Sequence, residues 1–264
     1  MHSMKLITSA QNEQLKHLSK LLSQSKVRRQ CRQTVLEGMH LLQSYLESGG
    51  KPVRVYLPES KANHHEIRQI VGQIPVGLTT WVSDEALSKI TSLTDSDDVM
   101  TLIDIPHEQA WPQQGDCVVL QCVQDPGNVG TIIRSAAACG MPHLILSQES
   151  ADVWSPKVLR AGMGAHFLLK IYSRVPMARW LAGYQDTVLA TALGEHNNFN
   201  LYEINLCEPA AWIFGNEGSG VSTEVLEKVS AGVKIPMQGQ TESLNVAMAA
   251  TICLFEQMRQ RMNA

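Results

Sequence analysis

The first stretch that could do chemistry runs from Val123 to Gly140, where a predicted strand enters an Asp-Pro-Gly-Asn turn and then an Ala-rich helix. Asn128 lies in the turn, and Arg134 follows one to two turns into the helix, on a face otherwise made of Ile and Ala. Ligands of open parallel sheets bind at the carboxyl ends of strands, where this turn would lie. A guanidinium on such a face needs a phosphate, a carboxylate or solvent. Arg134 is therefore a candidate phosphate-binding residue, the alternative being a carboxylate pair that only stabilises the fold.

A glycine-rich loop follows another predicted strand at residues 215–221, which read Gly-Asn-Glu-Gly-Ser-Gly-Val. Glycine lets the backbone approach a ligand closely. The spacing of Gly215, Gly218 and Gly220 does not match Gly-x-Gly-x-x-Gly, and no Lys-Ser/Thr pair completes a P-loop. Nicotinamide dinucleotides and nucleoside triphosphates are therefore disfavoured as ligands. Glu217 is either part of a site or a solvated loop acid.

A third polar loop, residues 235–247, leads from a strand end into a long final helix that reaches Met262. Ser243 could cap that helix. Asn245 is predicted to lie just inside the apolar, Ala-rich helical run. A packed asparagine needs hydrogen-bond partners, and a ligand could supply them.

These loops need a scaffold that brings several strand ends together. Near-continuous apolar strands alternate with helical runs and are predicted at residues 117–123, 143–147, 167–172, 187–191, 210–214 and 233–235. Fully apolar strands between helices are typical of a parallel sheet covered by helices on both faces. We therefore predict an α/β fold with a parallel sheet for this part of the chain.

The front of the chain predicts a second, smaller α/β unit. Its short strands are predicted at residues 34–37, 53–57, 79–82 and 99–103, and its helices at 9–22, 39–47, 63–71 and 84–90. Residues 106–115 contain Pro106, Pro112 and Gly115 among polar residues, which suits a connector. The predicted organisation is a domain over residues 1–105, a linker over 106–115 and a domain over 116–264.

Charge is unevenly distributed along a chain whose formal net charge is −3. The first 34 residues hold seven basic residues against a single acid, Glu13. Local potential governs contact with nucleic acid more than total charge does. This segment is therefore either a phosphate-binding surface or a solvated basic helix face. The candidate nucleic-acid-binding residues are Lys16, Lys20, Lys26, Arg28, Arg29 and Arg32.

Cysteine spacing and hydropathy exclude several other classes. The six cysteines are dispersed, without a Cys-x-x-Cys pair, and those in apolar contexts, such as Cys139 and Cys253, are interpreted as small buried hydrophobes. His64 and His65 have only Glu66 nearby, so no metal site is expected. No stretch approaches the roughly 20 consecutive apolar residues of a membrane span, and the polar N-terminal region does not resemble a signal peptide. We expect a cytoplasmic protein.

Taken together, the three loops resemble the signature motifs of the SpoU (TrmH-type) RNA 2'-O-ribose methyltransferases in order and spacing. The matching residues are Asn128-x-Gly130-x-x-x-Arg134, then Gly215-Asn216-Glu217-Gly218-x-Gly220, then Ile235-Pro236-Met237 with Ser243-Leu244-Asn245-Val246-Ala247. The front of the chain is similar to family members that carry an added RNA-binding domain related to ribosomal protein L30e. That similarity rests on Ser9-x-x-Asn12, Arg28-Arg29 and Leu36-Glu37-Gly38.

The resemblance implies a trefoil knot near the C-terminus, a homodimer packed through the knot region, and S-adenosyl-L-methionine as the cofactor. The cofactor-binding residues it implies are Thr191, Leu193, Gly194, Gly215, Asn216, Gly218, Ile235, Met237, Ser243 and Leu244. The catalytic residues it implies are Arg134, Asn128, Glu217, Ser243 and Asn245.

The implied activity is methylation of a ribose 2'-hydroxyl in structured RNA, with ribosomal RNA favoured over transfer RNA. Arginine is effectively always protonated in proteins. We therefore hypothesise that Arg134 binds a phosphate of the target nucleotide and stabilises a developing alkoxide, instead of acting as a base. Two alternatives stay open: a transfer RNA substrate, and a noncatalytic RNA-binding ribosome assembly factor.

Overall fold

The computed structural model describes residues 6–75, 77–91, 99–107, 109–191, 198–241 and 243–262. The chain divides into two compact units. The first unit consists of Met1–His107 and Trp154–Phe167, and the second of Glu108–Val153 and Leu168–Ala264. The first unit therefore includes a segment from the middle of the sequence.

The strands are β1 (Leu6–Ile7), β2 (Gln33–Glu37), β3 (Arg54–Pro58), β4 (Thr79–Val82), β5 (Met100–Asp104), β6 (Cys117–Leu120), β7 (His143–Ser147), β8 (Lys170–Val175), β9 (Thr187–Thr191), β10 (Asn198–Asn200), β11 (Ala210–Phe214) and β12 (Ala231–Lys234). The α-helices are α1 (Glu13–Ser23), α2 (Ser25–Cys31), α3 (Met39–Glu47), α4 (His65–Val71), α5 (Asp84–Ser88), α6 (Pro126–Ala138), α7 (Pro156–Gly162), α8 (Met177–Gly183), α9 (Thr223–Leu226) and α10 (Val246–Met262). Short 3-10 helices occupy Glu59–Lys61 and Ala165–Phe167.

The first unit is built on a five-stranded mixed sheet in the order β1-β4-β3-β5-β2. Its edge strand β2 pairs with β5 in antiparallel orientation, whereas β3 and β4 are parallel. Helix α1 begins where the side chain of Asn12 accepts a hydrogen bond from the backbone of Gln14. Its leucines recur at helical spacing and are buried against the sheet, at Leu15, Leu18, Leu21 and Leu22.

The second unit contains a seven-stranded sheet in the order β10-β12-β9-β11-β6-β7-β8. Every strand pairing in it is parallel. Strands β6 and β11 at its centre are fully buried, as the unbroken apolar runs predict, and Trp212 and Phe214 of β11 are 0% exposed. The predicted α/β fold with a parallel sheet is confirmed.

Several boundaries differ from the sequence-based expectation, among them that of β12, which covers Ala231–Lys234 instead of residues 233–235. Strand β6 ends at Leu120, before the predicted Val123, because Cys122 adopts a left-handed backbone with φ 57°. Strand β8 begins only at Lys170 because the three residues from Ala165 form a 3-10 turn. The short edge strand β10 had no apolar run to reveal it.

Helix α10 is anchored to the sheet of the second unit by a partly buried polar network. Gln257 accepts a hydrogen bond from the Trp212 indole at 2.6 Å and donates one to Asp116 at 3.0 Å. Arg261 adds a two-point ion pair with the Asp116 carboxylate, at 2.6 and 3.0 Å. Residues just before β6 and at the end of the chain are thereby held together, which fixes α10 beside α6.

No helix in the part of the chain that the structure describes is long and apolar enough to span a membrane.

Candidate functional site

The loop after β6 is shaped by Asp125, whose side chain caps α6 by accepting a hydrogen bond from the Asn128 amide at 2.8 Å. Pro126 occupies the first helical turn, where its missing N–H costs nothing. Asn128 is consequently held in the first turn of α6, partly buried, with its side chain directed at the two other motif loops.

Glu217 lies in the loop after β11, and its carboxylate is hydrogen-bonded to the loop after β6. One carboxylate oxygen accepts hydrogen bonds from the Asp125 backbone and the Asn128 side chain, both at 3.1 Å. The other accepts one from the Gln124 backbone at 3.3 Å. Burial raises the pKa of Glu217, but these hydrogen bonds outweigh it and the pKa is lowered overall. Glu217 is thus an ionised acceptor that joins two loops, and not merely a solvated acid.

Asn245 joins the third loop to the same point. Its side-chain nitrogen donates to the Asn128 side-chain oxygen at 3.0 Å. Its own oxygen accepts from the backbone of Ala247 at 2.9 Å and of Met248 at 3.3 Å. The prediction that Asn245 lies inside the final helix, with Ser243 as a possible cap, is wrong. The helix begins at Val246 and Asn245 caps it, because its short amide reaches the unpaired N–H groups of the first turn.

The glycine-rich loop is closed on itself. The backbones of Asn216 and Gly220 exchange hydrogen bonds at 3.0 and 2.9 Å. The Asn216 side chain donates to the Cys122 carbonyl at 2.9 Å and accepts from the Gly218 amide at 2.9 Å. A Cβ on Gly215 would lie 2.1 Å from the Gly220 carbonyl carbon, so this position has no room for a side chain. Gly215 is therefore required by the loop itself.

A cavity of about 890 Å³ lies beside these loops. Eight of the predicted cofactor-binding residues line it: Thr191, Gly215, Asn216, Gly218, Ile235, Met237, Ser243 and Leu244. The predicted Leu193 and Gly194 lie outside the described residues. Glu217 also lines the cavity. The structure thus brings residues of the second and third motifs together around one cavity.

Sequence reasoning missed one side of this cavity. It is formed by α9, by the turn that follows it and by β12, with Thr223, Leu226, Glu227, Val229, Ser230, Gly232 and Lys234 among its members. The available signal was position, because these residues directly precede the third motif in the sequence. No motif pattern distinguishes them.

The cavity suits a ligand that is partly apolar and partly charged. Its size falls within the range of ligand pockets. Its apolar wall includes Val221 and Leu226, and its charged members are Glu217, Glu227 and Lys234. S-adenosyl-L-methionine combines an adenosine with a charged amino-acid tail, so the residues present fit this cofactor.

Arg134 is exposed on α6 and does not belong to the lining of the cavity. Within the described ranges its side chain makes no ion pair or hydrogen bond, so the alternative of a stabilising carboxylate pair is not observed there. The guanidinium is therefore available to an external anion.

The predicted RNA-binding residues of the first unit separate into two groups. Lys20, Lys26, Arg29 and Arg32 are exposed, and Lys16 forms a 3.0 Å ion pair with Glu13. Arg32 also donates to the Pro106 carbonyl at 3.1 Å.

The prediction for Arg28 is wrong. Its side chain is buried, with 4% of the residue exposed, and donates hydrogen bonds to the carbonyls of Leu21 and Leu22. These carbonyls belong to the last turn of α1, where backbone acceptors lack helical partners. Arg28 therefore caps a helix end and does not present its charge to a ligand.

Of the cysteines predicted to be small buried hydrophobes, Cys253 is buried and Cys139 is half-buried, whereas Cys31 and Cys207 are exposed. Cys253 is 0% exposed, and burial raises the pKa of its thiol to about 12. Across the described ranges, no three His, Cys, Asp or Glu residues are grouped closely enough to hold a metal ion.

Comparison with family models matches both parts of the chain. Residues 116–255 match the SpoU rRNA Methylase family. Residues 12–101 match the MRM3-like substrate binding domain.

Curated relatives are similar over most of this chain. The 23S rRNA (guanosine(2553)-2'-O)-methyltransferase RlmP of Bacillus subtilis is 31% identical over 258 residues, covering 96% of this chain and 98% of the relative. The 23S rRNA (guanosine-2'-O-)-methyltransferase RlmB of Xylella fastidiosa is 30% identical over 228 residues, covering 84% and 90%.

Solved structures show the same architecture. The AdoMet-bound rRNA methyltransferase from Sinorhizobium meliloti is 30% identical with a TM-score of 0.83, covering 97% of each chain. The SpoU methyltransferase AviRb from Streptomyces viridochromogenes, in complex with AdoMet, is 25% identical with a TM-score of 0.83, covering 96% of this chain and 99% of its own. A structure concerned with 2-OH methylation of C/U34 on tRNA covers only 58% of this chain, with a TM-score of 0.51.

Proposed function

Because the chain belongs to the SpoU rRNA methylase family, we propose that it methylates the 2'-hydroxyl of a ribose in 23S ribosomal RNA. The observation that carries the proposal is the meeting of the three motif loops beside the cavity. There Asn128 is hydrogen-bonded to both Glu217 and Asn245. Each loop contributes one polar side chain to this contact, so the arrangement requires all three motifs together.

S-adenosyl-L-methionine is the cofactor of this reaction and supplies an electrophilic methyl group. On this chain, the residues that would hold it are those lining the cavity at the ends of β9, β11 and β12, among them Thr191, Gly215, Ile235, Met237 and Leu244. Fixing the cofactor and the ribose in one geometry lowers the barrier, because the orientation is then set before the reaction.

Arg134 has the chemistry to hold the target nucleotide. A ribose hydroxyl is a weak nucleophile whose proton must leave during the reaction. The guanidinium group of arginine is a cation and a hydrogen-bond donor without an acceptor, so it suits the binding of an anion better than the removal of a proton. We assign it to a phosphate of the target nucleotide, where its planar fork can bind two oxygens and its charge stabilises a developing alkoxide.

Glu217 is a poor choice of proton acceptor. Its pKa is lowered and both its oxygens already accept hydrogen bonds from the neighbouring loop. The proton of the ribose hydroxyl therefore leaves through the phosphate or a water molecule in this proposal. Glu217 acts by keeping the motif loops together.

Ribosomal RNA is favoured over transfer RNA by the front of the chain. Residues 12–101 match a substrate-binding domain, and the named relatives that cover most of this chain act on 23S rRNA. The neighbour concerned with tRNA covers little more than half of this chain. The first unit is therefore the element that supports a ribosomal substrate.

The proposed assembly is a homodimer in the cytoplasm, with the trefoil knot formed by the C-terminal part of the second unit. Support for the dimer comes from apolar side chains on and next to α10 that remain exposed: Leu244, Met248, Phe255 and Met262. An apolar row of this kind favours burial against a partner. Light scattering of the purified protein tests the dimer, and a monomer at all concentrations would exclude it.

The activity is tested by transfer of labelled methyl groups from S-adenosyl-L-methionine to unmodified 23S rRNA and to unmodified tRNA. We expect label in the rRNA alone, resistant to alkali as a 2'-O-methyl group, and lost in Arg134→Ala. Arg134→Lys keeps the charge but not the fork, and should also lose most turnover. Arg179→Ala, which removes another exposed arginine of the same unit, is the control and should retain activity.

The possible failures have different meanings. Label in tRNA alone would show that the substrate is tRNA and not rRNA, while the proposed reaction would stand. If the protein binds rRNA but transfers no methyl group to naked RNA or to assembling ribosomal subunits, the proposal of an enzyme is wrong and a noncatalytic assembly factor is favoured. Full activity of Arg134→Lys would exclude two-point phosphate binding by this residue.

A further inference from the structure

The segment Trp154–Phe167 belongs to the first unit, although the match to the methylase family spans it. Its helix α7 packs against the edge strand β2. At the start of the segment, the buried Thr34 hydroxyl of β2 donates a hydrogen bond to the Trp154 carbonyl at 2.8 Å. The residues that precede the helix are therefore tied directly to the sheet of the first unit.

The far end of the segment is fixed to α3. The ring of Phe167 meets the ring of Tyr45 edge to face, with centroids 5.0 Å apart. Gly164 has φ +85°, and a Cβ there would lie 2.5 Å from the Ser44 side chain. A helix held at both ends keeps its exposed side chains in a defined place on the first unit.

The two faces of α7 differ sharply. Val158 and Leu159 are 0% exposed, whereas Lys157 and Arg160 are exposed and lie one turn apart. The segment contains no acidic residue. Among the described residues, neither cation has a side-chain hydrogen bond or an ion pair.

Helix stability does not account for both charges. Arg160 lies in the last turn, where a cation is favourable for the helix dipole. Lys157 lies in the first turn, next to Pro156, where a cation is unfavourable and where no acidic residue accompanies it. An external anion would relieve this unfavourable placement.

The position of β2 brings α7 close to the basic segment found in the sequence. Successive strand residues face opposite sides of a sheet. Val35 packs in the same core cluster as the α1 leucines, and the neighbouring Thr34 bonds to the α7 segment. Helices α1 and α7 therefore flank the edge strand from its two faces, and a ligand that follows this edge can contact cations on both.

We propose that Lys157 and Arg160 bind backbone phosphates of the RNA substrate and extend the RNA-binding surface of the first unit beyond residues 1–105. The inference rests on the proposed function for the identity of the RNA. The site recognises the sugar-phosphate backbone of a folded RNA, because two isolated cations carry no donor and acceptor pattern for a base. Its role is to position the substrate, together with the exposed cations Lys20, Lys26 and Arg29.

The test compares wild type with the double variant Lys157→Gln/Arg160→Gln in equilibrium binding to an unmodified 23S rRNA transcript, from 50 to 300 mM KCl. Each lost phosphate contact lowers the slope of log affinity against log salt by about 1, so the double variant should lose about 2 from that slope. We expect roughly tenfold weaker binding at the lower salt concentrations. The charge-conserving variant Lys157→Arg/Arg160→Lys should bind nearly as wild type does.

The matched control is Lys51→Gln/Lys89→Gln, which removes two exposed cations from the same unit. If the control loses as much affinity as the test variant, the effect comes from net charge alone and the proposed phosphate site is wrong. So would an unchanged salt slope in the test variant. Thermal unfolding separates loss of binding from loss of folding, and a test variant that unfolds is replaced by Lys157→Gln alone, whose expected slope change is about 1.

Methyl transfer measured in parallel keeps the two proposals distinguishable. With saturating RNA, the test variant should keep the wild-type kcat and show only a raised KM. Wild type that binds rRNA without methylating it would remove the proposed activity and leave the phosphate site intact. Wild type that does not bind the transcript would overturn the phosphate site.

Discussion

The side-chain nitrogen of Asn128 lies 3.1 Å from a carboxylate oxygen of Glu217 and joins loops that are 89 residues apart in the sequence. The same asparagine accepts a hydrogen bond from Asn245 at 3.0 Å. Both ends of the Asn128 amide thus make a hydrogen bond, which fixes its orientation. The three motif residues act as a positioning unit for the loops, and Arg134 is left free to contact the substrate.

Glu217→Gln is expected to reduce methyl transfer far more than stability. The new amide can still accept hydrogen bonds with its oxygen, but its NH₂ group would face donors from Gln124 and Asn216. The loops should move apart, and because a displacement of about 1 Å in an active site can lower the rate roughly 100-fold, we expect a loss in kcat of up to that size. Steady-state kinetics and thermal unfolding measure the two effects. Glu224→Gln removes an exposed carboxylate from the same unit and should change neither, whereas equal kinetics for both variants would exclude the role of Glu217.

Substitutions at Asn245 should separate its two roles. Asn245→Asp keeps an oxygen for the Ala247 and Met248 amides but loses the donor to Asn128. Its stability should therefore match or exceed wild type, since an acid is favourable at a helix N-terminus, while its activity falls. Asn245→Ala loses the cap as well and should be less stable by about 1 kcal/mol. Denaturant unfolding with parallel kinetics checks this, and an active Asn245→Asp would contradict it.

Gly215→Ala is expected to damage the glycine-rich loop. A methyl group there would lie 2.1 Å from the Gly220 backbone, so the loop must open. We expect a loss of at least 2 kcal/mol in unfolding free energy, in the range of overpacked positions. The affinity for S-adenosylhomocysteine, measured by calorimetry, should fall as well. Gly239→Ala is the control, because a Cβ at Gly239 meets no atom within 4 Å and should be tolerated.

The parallel sheet could be predicted from the sequence because most of its strands are each identified by a short, continuous stretch of residues. Apolar runs such as residues 210–214 identify buried strands wherever they occur, and glycine and proline mark the turns between them. The hydrogen bonds of the candidate site, by contrast, join residues that are far apart in the sequence. Nothing in the spacing of Asn128 and Asn245, 117 residues apart, reveals that their amides touch.

Two further features could be found only in three dimensions. Arg28 looks like its basic neighbours in the sequence, but the end of α1 turns its guanidinium inward. The packing of Trp154–Phe167 in the first unit depends on Thr34 and Ser44, residues with no distinguishing pattern. Charge and hydrophobic periodicity describe single helices and strands. Which helix or strand packs against which depends on the whole fold.

The stability of the second unit should depend on the charge of Asp116. Burial raises the pKa of this carboxyl, but hydrogen bonds from Arg261, the Ala210 backbone and Gln257 outweigh it and the pKa is lowered overall. A carboxyl with a lowered pKa contributes stability above its unfolded pKa, and this contribution is lost as the pH falls through the folded value.

Asp116→Asn should therefore lower the unfolding free energy by about 2 kcal/mol near pH 7, because Arg261 keeps its charge without a counter-ion. The difference from wild type should persist down to about pH 5 and shrink as the pH falls further, because the unfolded carboxyl, with an ordinary pKa of about 3.9, takes up a proton before the folded carboxyl, whose pKa is lowered. Urea unfolding at a series of pH values measures this difference. A difference that stays constant down to pH 3 would show that the effect of the substitution comes from packing and not from the ion pair.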